Sequence, residues 1–226
     1  MKLLKLFFLF PFIACANAQE SNIKHFTLDS KYAVQAICDK GIKLNLQKNG
    51  KTVFSLTPED GACNEGDDFD SMVQFDENLY GTGKKGVSIL PAYIMTTSSE
   101  TIYVFDTINN KIIAAGSLPI FTKQQEDGTI LYEAIAPYSK VKVVYQFLDN
   151  KIVQLRSTAL YFEGNICIRK SDDTDLYLFV DAECSSGIIA SKNSPVCVSY
   201  TEPNTPEIIP MQKCDIKEEE VSDLRE

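Results

Sequence analysis

FDENLYGTGKKGVSILPAYIMTTSSETIYVFDTINNKIIAAGSL, residues 75–118, decides the fold class, because it holds an acidic turn followed by the longest extended segments of the chain. Val87 to Met95 and Thr101 to Phe105 are rich in β-branched and aromatic residues, and Thr97-Ser98-Ser99-Glu100 separates them, so they read as a long hairpin. Asp106 to Lys111 then forms a tight turn before Ile112-Ile113-Ala114-Ala115. The same device, an Asn-rich turn, a lysine and a β-branched strand, recurs at Asp149-Asn150-Lys151 and at Asn49-Gly50-Lys51. Asn-Gly between two extended runs is the strongest short-range hairpin pattern, since a type I′ turn needs positive φ at both central residues.

Outward from this stretch the pattern stays extended. Ile42 to Gln47 alternates apolar and polar residues with the period of a half-buried strand, and Tyr32 to Cys38 precedes it as the expected first strand. Met72 to Phe75, Ile120 to Gln124, Ile130 to Ala136, Val141 to Phe147, Ile152 to Leu160, Asn165 to Arg169, Leu176 to Val180 and Val196 to Tyr200 are further predicted strands. No segment carries apolar residues at helical spacing over ten or more positions. Pro203, Pro206 and Pro210 lack amide donors and are expected to interrupt pairing after Tyr200. The predicted fold is all-β, with antiparallel hairpins forming a sandwich or small propeller-like array.

The ends of the chain read differently. Residues 1–18 combine Lys2 and Lys5, an apolar run and Ala16-Asn17-Ala18, the pattern of a secretory signal cleaved before Gln19. The apolar run is shorter than the roughly 20 residues that span a bilayer, so no retained transmembrane segment is expected. Cys15, after Ala14, keeps open the reading that the chain is lipidated there instead. Residues 19–216 are expected to form a single domain, and residues 217–226 an acidic, flexible tail. Both signal readings place the protein in the periplasm or outside the cell.

Loss of Lys2 and Lys5 leaves 20 basic residues against 31 acidic ones, a net charge near -11. That field argues against nucleic acid as a partner and steers basic proteins toward the chain. Six of the seven cysteines lie beyond the signal: Cys38, Cys63, Cys167, Cys184, Cys197 and Cys214. An even number in an exported chain reads as three disulfides, with Cys38 expected to pair with Cys63 and the other four among themselves.

No enzyme is expected. His25 is the sole histidine, no Gly-x-Ser-x-Gly elbow is present, and no carboxylate pair stands apart from the solvated loops. No cofactor is expected either; a metal, if held, is calcium on Asp67, Asp70, Asp76 and Asn78, since a hard cation takes 6 to 8 oxygen donors. Tyr80 and Tyr138, beside glycine, proline or turn residues, are candidate exposed contact residues.

Asp76-x-Asn78-x-x-Gly81, followed by Val87-Ser88-Ile89-Leu90 and the unit from Val104-Phe105-Asp106 to Leu118, resembles a group of bacterial periplasmic proteins. The group comprises lysozyme inhibitors of the invertebrate-type class and related immunity proteins for secreted peptidoglycan-hydrolase toxins. The resemblance spans about residues 73–153. Tyr80 stands where the group carries an acidic residue, and Ser186-Gly187-Ile188-Ile189 is the nearest counterpart of its inhibitory Ser-Gly-x-Tyr loop, without the tyrosine. The resemblance implies a protein-binding inhibitor that blocks a basic, peptidoglycan-degrading hydrolase, with Ser186 and Gly187 in the binding loop. The alternative is an envelope binding module for a glycan or surface protein, with no inhibitory role.

Overall fold

The computed structural model describes residues 22–59, 61–64, 67–91, 95, 98–170, 177–180, 187–201 and 205–217. The signal with Cys15, and Cys184, Ser186 and residues 218–226, lie outside the described residues. The fold is antiparallel β throughout. The first sheet is a meander of β1 (Ile23–Thr27), β2 (Tyr32–Cys38), β3 (Ile42–Lys48) and β4 (Lys51–Leu56). Its alternation is the one read from Ile42 to Gln47. Ile42, Leu44 and Leu46 are buried with Val34 and Ala36, while Asn45, Gln35 and Ser55 join in a side-chain hydrogen-bond ladder on the other face.

The opening stretch builds the second meander: β5 (Val73–Asp76), β6 (Gly86–Ile89), β7 (Ser99–Asp106) and β8 (Lys111–Pro119). This sheet is buried on both faces. Val73, Val87, Ile89, Tyr103 and Ile112 pack with the apolar face of the first sheet; Ile102, Val104 and Ala115 pack with Phe147 and Ile152 of the third. Between Ile102 and Tyr103 the β7–β8 register slips; Ala115 is the extra residue, and Gly116, opposite Ile102, flanks it at φ 129°. The positive φ there favours glycine, and a Cβ would lie 3.4 Å from the Ile152 Cβ of the third sheet.

The third sheet has six strands in the order β17 (Thr205–Ile209), β16 (Val196–Thr201), β12 (Lys151–Tyr161), β11 (Ser139–Leu148), β10 (Thr129–Ala136), β9 (Lys123–Gln124). A three-stranded sheet, β14 (Tyr177–Val180), β13 (Gly164–Lys170) and β15 (Ile188–Ala190), meets it through a core of Ile166, Ala190, Val196 and Val198. The first, second and third sheets are therefore stacked face to face as a layered sandwich.

Several expectations change. The strand read from Val87 to Met95 ends at Ile89, and Ser99 and Glu100, read as part of the turn, belong to β7. Ile23–Thr27 is a strand, tied down where the Lys24 ammonium donates to the Asp70 and Val73 carbonyls at 2.7 and 2.9 Å. A single helical turn, α1 (Phe69–Met72), precedes β5, with the Asp68 carboxylate accepting from the amides of Asp70 and Ser71. The predicted strand from Ile120 to Gln124 is broken by Phe121, at φ 68°, leaving only the short β9. Pro206 does not end pairing: it sits opposite Tyr200 on β17, an edge strand where a missing donor is tolerated.

The Cys38–Cys63 disulfide is present as expected, and Cys197 is bonded to Cys214. Cys167 is also disulfide-bonded. No helix among the described residues is long and apolar enough to cross a membrane.

Candidate functional site

One face of the six-stranded sheet packs on the second sheet; the opposite face is divided in two. At one end Leu160, Phe162 and Cys197 are covered by Ile209, Met211, Cys214 and Ile216, held by the Cys197–Cys214 disulfide. At the other end the face is open. The boundary is the ion pair between Arg156 Nε and Asp215 Oδ2, 2.8 Å apart.

The open half is assembled from three adjacent strands in register. Leu131 of β10 lies opposite Val144 of β11, which lies opposite Arg156 of β12. Beyond Val144 the β11–β12 register slips, so that Tyr145 faces Gln154 and Leu155 is the extra residue. Such a bulge re-aims a side chain. Leu155 here joins Arg156 on the open face and is 48% exposed.

These residues, with Thr129 and Lys142, floor a cavity of about 800 Å³ whose wall is Gln125, Glu126 and Asp127. The wall is a fixed turn: Asp127 Oδ1 accepts from the Thr129 hydroxyl at 2.6 Å and its amide at 3.0 Å, and Gly128 donates to the Gln125 carbonyl. The Thr129 hydroxyl, then its amide, hold the Asp127 carboxyl below the usual range, with a smaller contribution from the Arg156 charge.

A second hollow of about 180 Å³ continues the surface, lined by Phe121, Lys123, Leu131 and Glu133. Phe121 is 73% exposed in a left-handed backbone conformation, and Ile135, two residues beyond Glu133, is 63% exposed. An aromatic held outward at positive φ is a strained arrangement maintained by its surroundings. Glu133 is paired with Lys140 at 3.8 Å. The whole is a shallow apolar surface with balanced charges at its margin, a shape suited to a macromolecular contact.

Another cavity, of about 460 Å³, lies where turns of the first three sheets meet, among Asp29, Lys84, Lys85, Asp106, Asn109 and Asn150. Its polar groups serve the fold. Asp106 accepts from the Asn109 side-chain amide and from the Ile108 and Asn109 amides, and Asp29 accepts from the Lys31 and Tyr32 amides. Lys84 donates to Asn150 Oδ1 and lies 5.9 Å from the centre of the Phe147 ring. This is a joint between sheets.

The residues singled out from the sequence are dispersed. Tyr80 is packed inward: its backbone is left-handed at φ 50°, and its ring lies 6.4 Å from that of Phe147 in the core between the second and third sheets. Burial, then the charges of Glu100 and Asp76, push its hydroxyl pKa far up. Tyr138 is 50% exposed in the β10–β11 turn.

The expected oxygen donors each hold a local contact. Asp67 accepts from the Asn64 amide, Asp70 pairs with Lys24 at 3.1 Å, Asp76 accepts from the Asn78 amide and Asn78 from the Gly83 amide. Among the described residues no three histidine, cysteine or acidic side chains gather as a metal site. Gly187 has a packing reason: a Cβ there would lie 2.3 Å from Asn165 Oδ1 and 2.8 Å from Cys167 Sγ. Ser186 lies outside the described residues.

The sequence reading missed Phe121, Leu131 and Leu155, which look like ordinary strand residues. No family model matches the chain, and neither curated proteins nor solved structures yield a match, so the functional reading rests on this surface.

Proposed function

We propose that the protein is exported to the periplasm or beyond and binds a protein partner through the open face of its six-stranded sheet, blocking a hydrolase that acts on peptidoglycan. The observation that carries this reading is the apolar floor of Leu131, Val144 and Leu155 beside the outward Phe121, bordered by Lys142 and Arg156. Aliphatic side chains with one aromatic suit another protein's surface better than a sugar ring, which is bound on aromatic platforms with dense hydrogen bonding. The signal-like start, the disulfides and the resemblance over residues 73–153 support export and an inhibitory role. The net charge near -11 steers a basic enzyme to the encounter, while the apolar face holds it.

The test is lysis protection by the purified mature chain against lysozyme-like and co-encoded hydrolases, together with pull-down from periplasm. Protection that disappears in Leu155→Asp supports the reading. Absence of protection against every such hydrolase overturns it.

A further inference from the structure

Beside the open face runs an unfinished sheet edge. β9 pairs with β10 only at Ile130 and Leu131, whereas β10 continues to Ala136. The chain leaves this edge at Phe121, whose positive φ turns it away, and the next residue back, Ile120, donates its amide to the Ser98 carbonyl. The direction of the free main-chain groups follows from the ladder. Gln125 donates to the Thr129 carbonyl at 2.8 Å, so Thr129 presents its main chain to the β9 side. By the period of two, Leu131, Glu133 and Ile135 do the same. Past Leu131 no strand among the described residues pairs with Glu133 or Ile135 on that side.

Edges of this kind are usually blunted by proline, charge or cover. Here Ile135 is 63% exposed, and the 180 Å³ hollow between Phe121 and Leu131 opens beside it. That hollow has room for a side chain and is smaller than a small-molecule site.

We infer that the outer edge of β10, from Tyr132 to Ala136, accepts an extended segment of a partner protein as an added antiparallel strand, collinear with β9. Main-chain hydrogen bonds to Glu133 and Ile135 supply the attachment, and an apolar side chain entering the Phe121–Leu131 hollow sets the register. A second copy of this chain is the weaker occupant, because two bodies each near -11 repel, whereas a basic partner is attracted. The inference rests on the reading of the protein as a binding protein, and not on the partner being a hydrolase.

The probe is the tightest peptide selected from a displayed random heptapeptide library on the purified mature chain. Ile135→Pro removes one outward amide and leaves the β10–β11 ladder intact; it should weaken peptide binding about tenfold or more with the far-UV spectrum unchanged. N-methylation of alternate peptide residues should do the same without altering the protein, and methylation of the residues between should not. The Glu133 and Ile135 amides should gain protection from hydrogen exchange on binding.

A library that yields no binder overturns the inference, as does a peptide indifferent to both Ile135→Pro and N-methylation. A dimer in sedimentation that Ile135→Pro dissolves overturns it in favour of a second copy. Peptide addition without hydrolase protection keeps the edge and removes the inhibitor reading.

Discussion

Gly116 and Glu100 show how single positions bind the middle sheet to its neighbours. Gly116 combines φ 129° with contact to Ile152, so a side chain there meets backbone strain, and γ-carbons must find room beside Ile152. Gly116→Val is expected to lower stability by about 2–3 kcal/mol, read as a lower urea midpoint at unchanged slope. Glu100 on β7 is half-buried; desolvation raises its pKa, and the Ser88 hydroxyl bonded to it only partly offsets this. A carboxyl with a raised folded pKa favours folding while protonated. Its stabilisation is present below the ordinary carboxylate pKa and is lost as pH rises through the raised value. Glu100→Gln, neutral throughout and still able to accept from Ser88, should remove the fall in stability that sets in as pH rises above the ordinary carboxylate pKa, as urea titrations from acid to neutral pH would show.

Among the elements, the C-terminal segment decides how much of the six-stranded sheet stays open. Its attachment is the Cys197–Cys214 disulfide, the apolar cluster around Ile216 and the Arg156–Asp215 pair. The disulfide closes a loop of sequence separation 17, so replacing both cysteines with serine is expected to cost about 3 kcal/mol. Amide exchange should quicken from Thr205 to Lys217 in that variant. Arg156→Ala, removing an ion pair on an exposed side chain, is expected to cost no more than about 1 kcal/mol.

Hairpins were the legible elements. Asn49-Gly50, Asn110 and Asp149-Asn150 name their own turns, because positive φ selects these residues and the flanking strands alternate or run apolar. The first strand was not legible. Ile23–Thr27 carries lysine and histidine and is held in place by Lys24 reaching Asp70 and Val73, a contact separated by more than forty residues. The break at Phe121 escaped because nothing about phenylalanine signals a left-handed backbone. The candidate surface was hidden for a related reason: Leu131, Val144 and Leu155 match buried strand residues in type, and only the extent of the C-terminal cover leaves them open.

At the scale of the whole molecule, the order of strands in the first and second sheets follows the chain, yet the stacking could not be read from it. Ile102-Tyr103-Val104-Phe105 is apolar at successive positions, and a sheet covered on both faces loses the alternation that would say which neighbour each side chain meets. The structure assigns Tyr103 to the first sheet's side and Ile102 and Val104 to the third sheet's side. The middle sheet is therefore a shared layer, and the first and third sheets each bury their apolar face only while it is folded. Ile102 is fully buried in that layer. Truncating it removes packing from the interface with Phe147 and Ile152 and leaves a void that both sheets line. Ile102→Ala should cost about 2–5 kcal/mol. Because the layer is shared, the loss should lower one common transition: far-UV circular dichroism and tyrosine fluorescence, the chain having no tryptophan, should report the same midpoint in wild type and variant. Two separated transitions would mean that the sheets fold as independent units and that the stack is held by the covalent chain rather than by its cores.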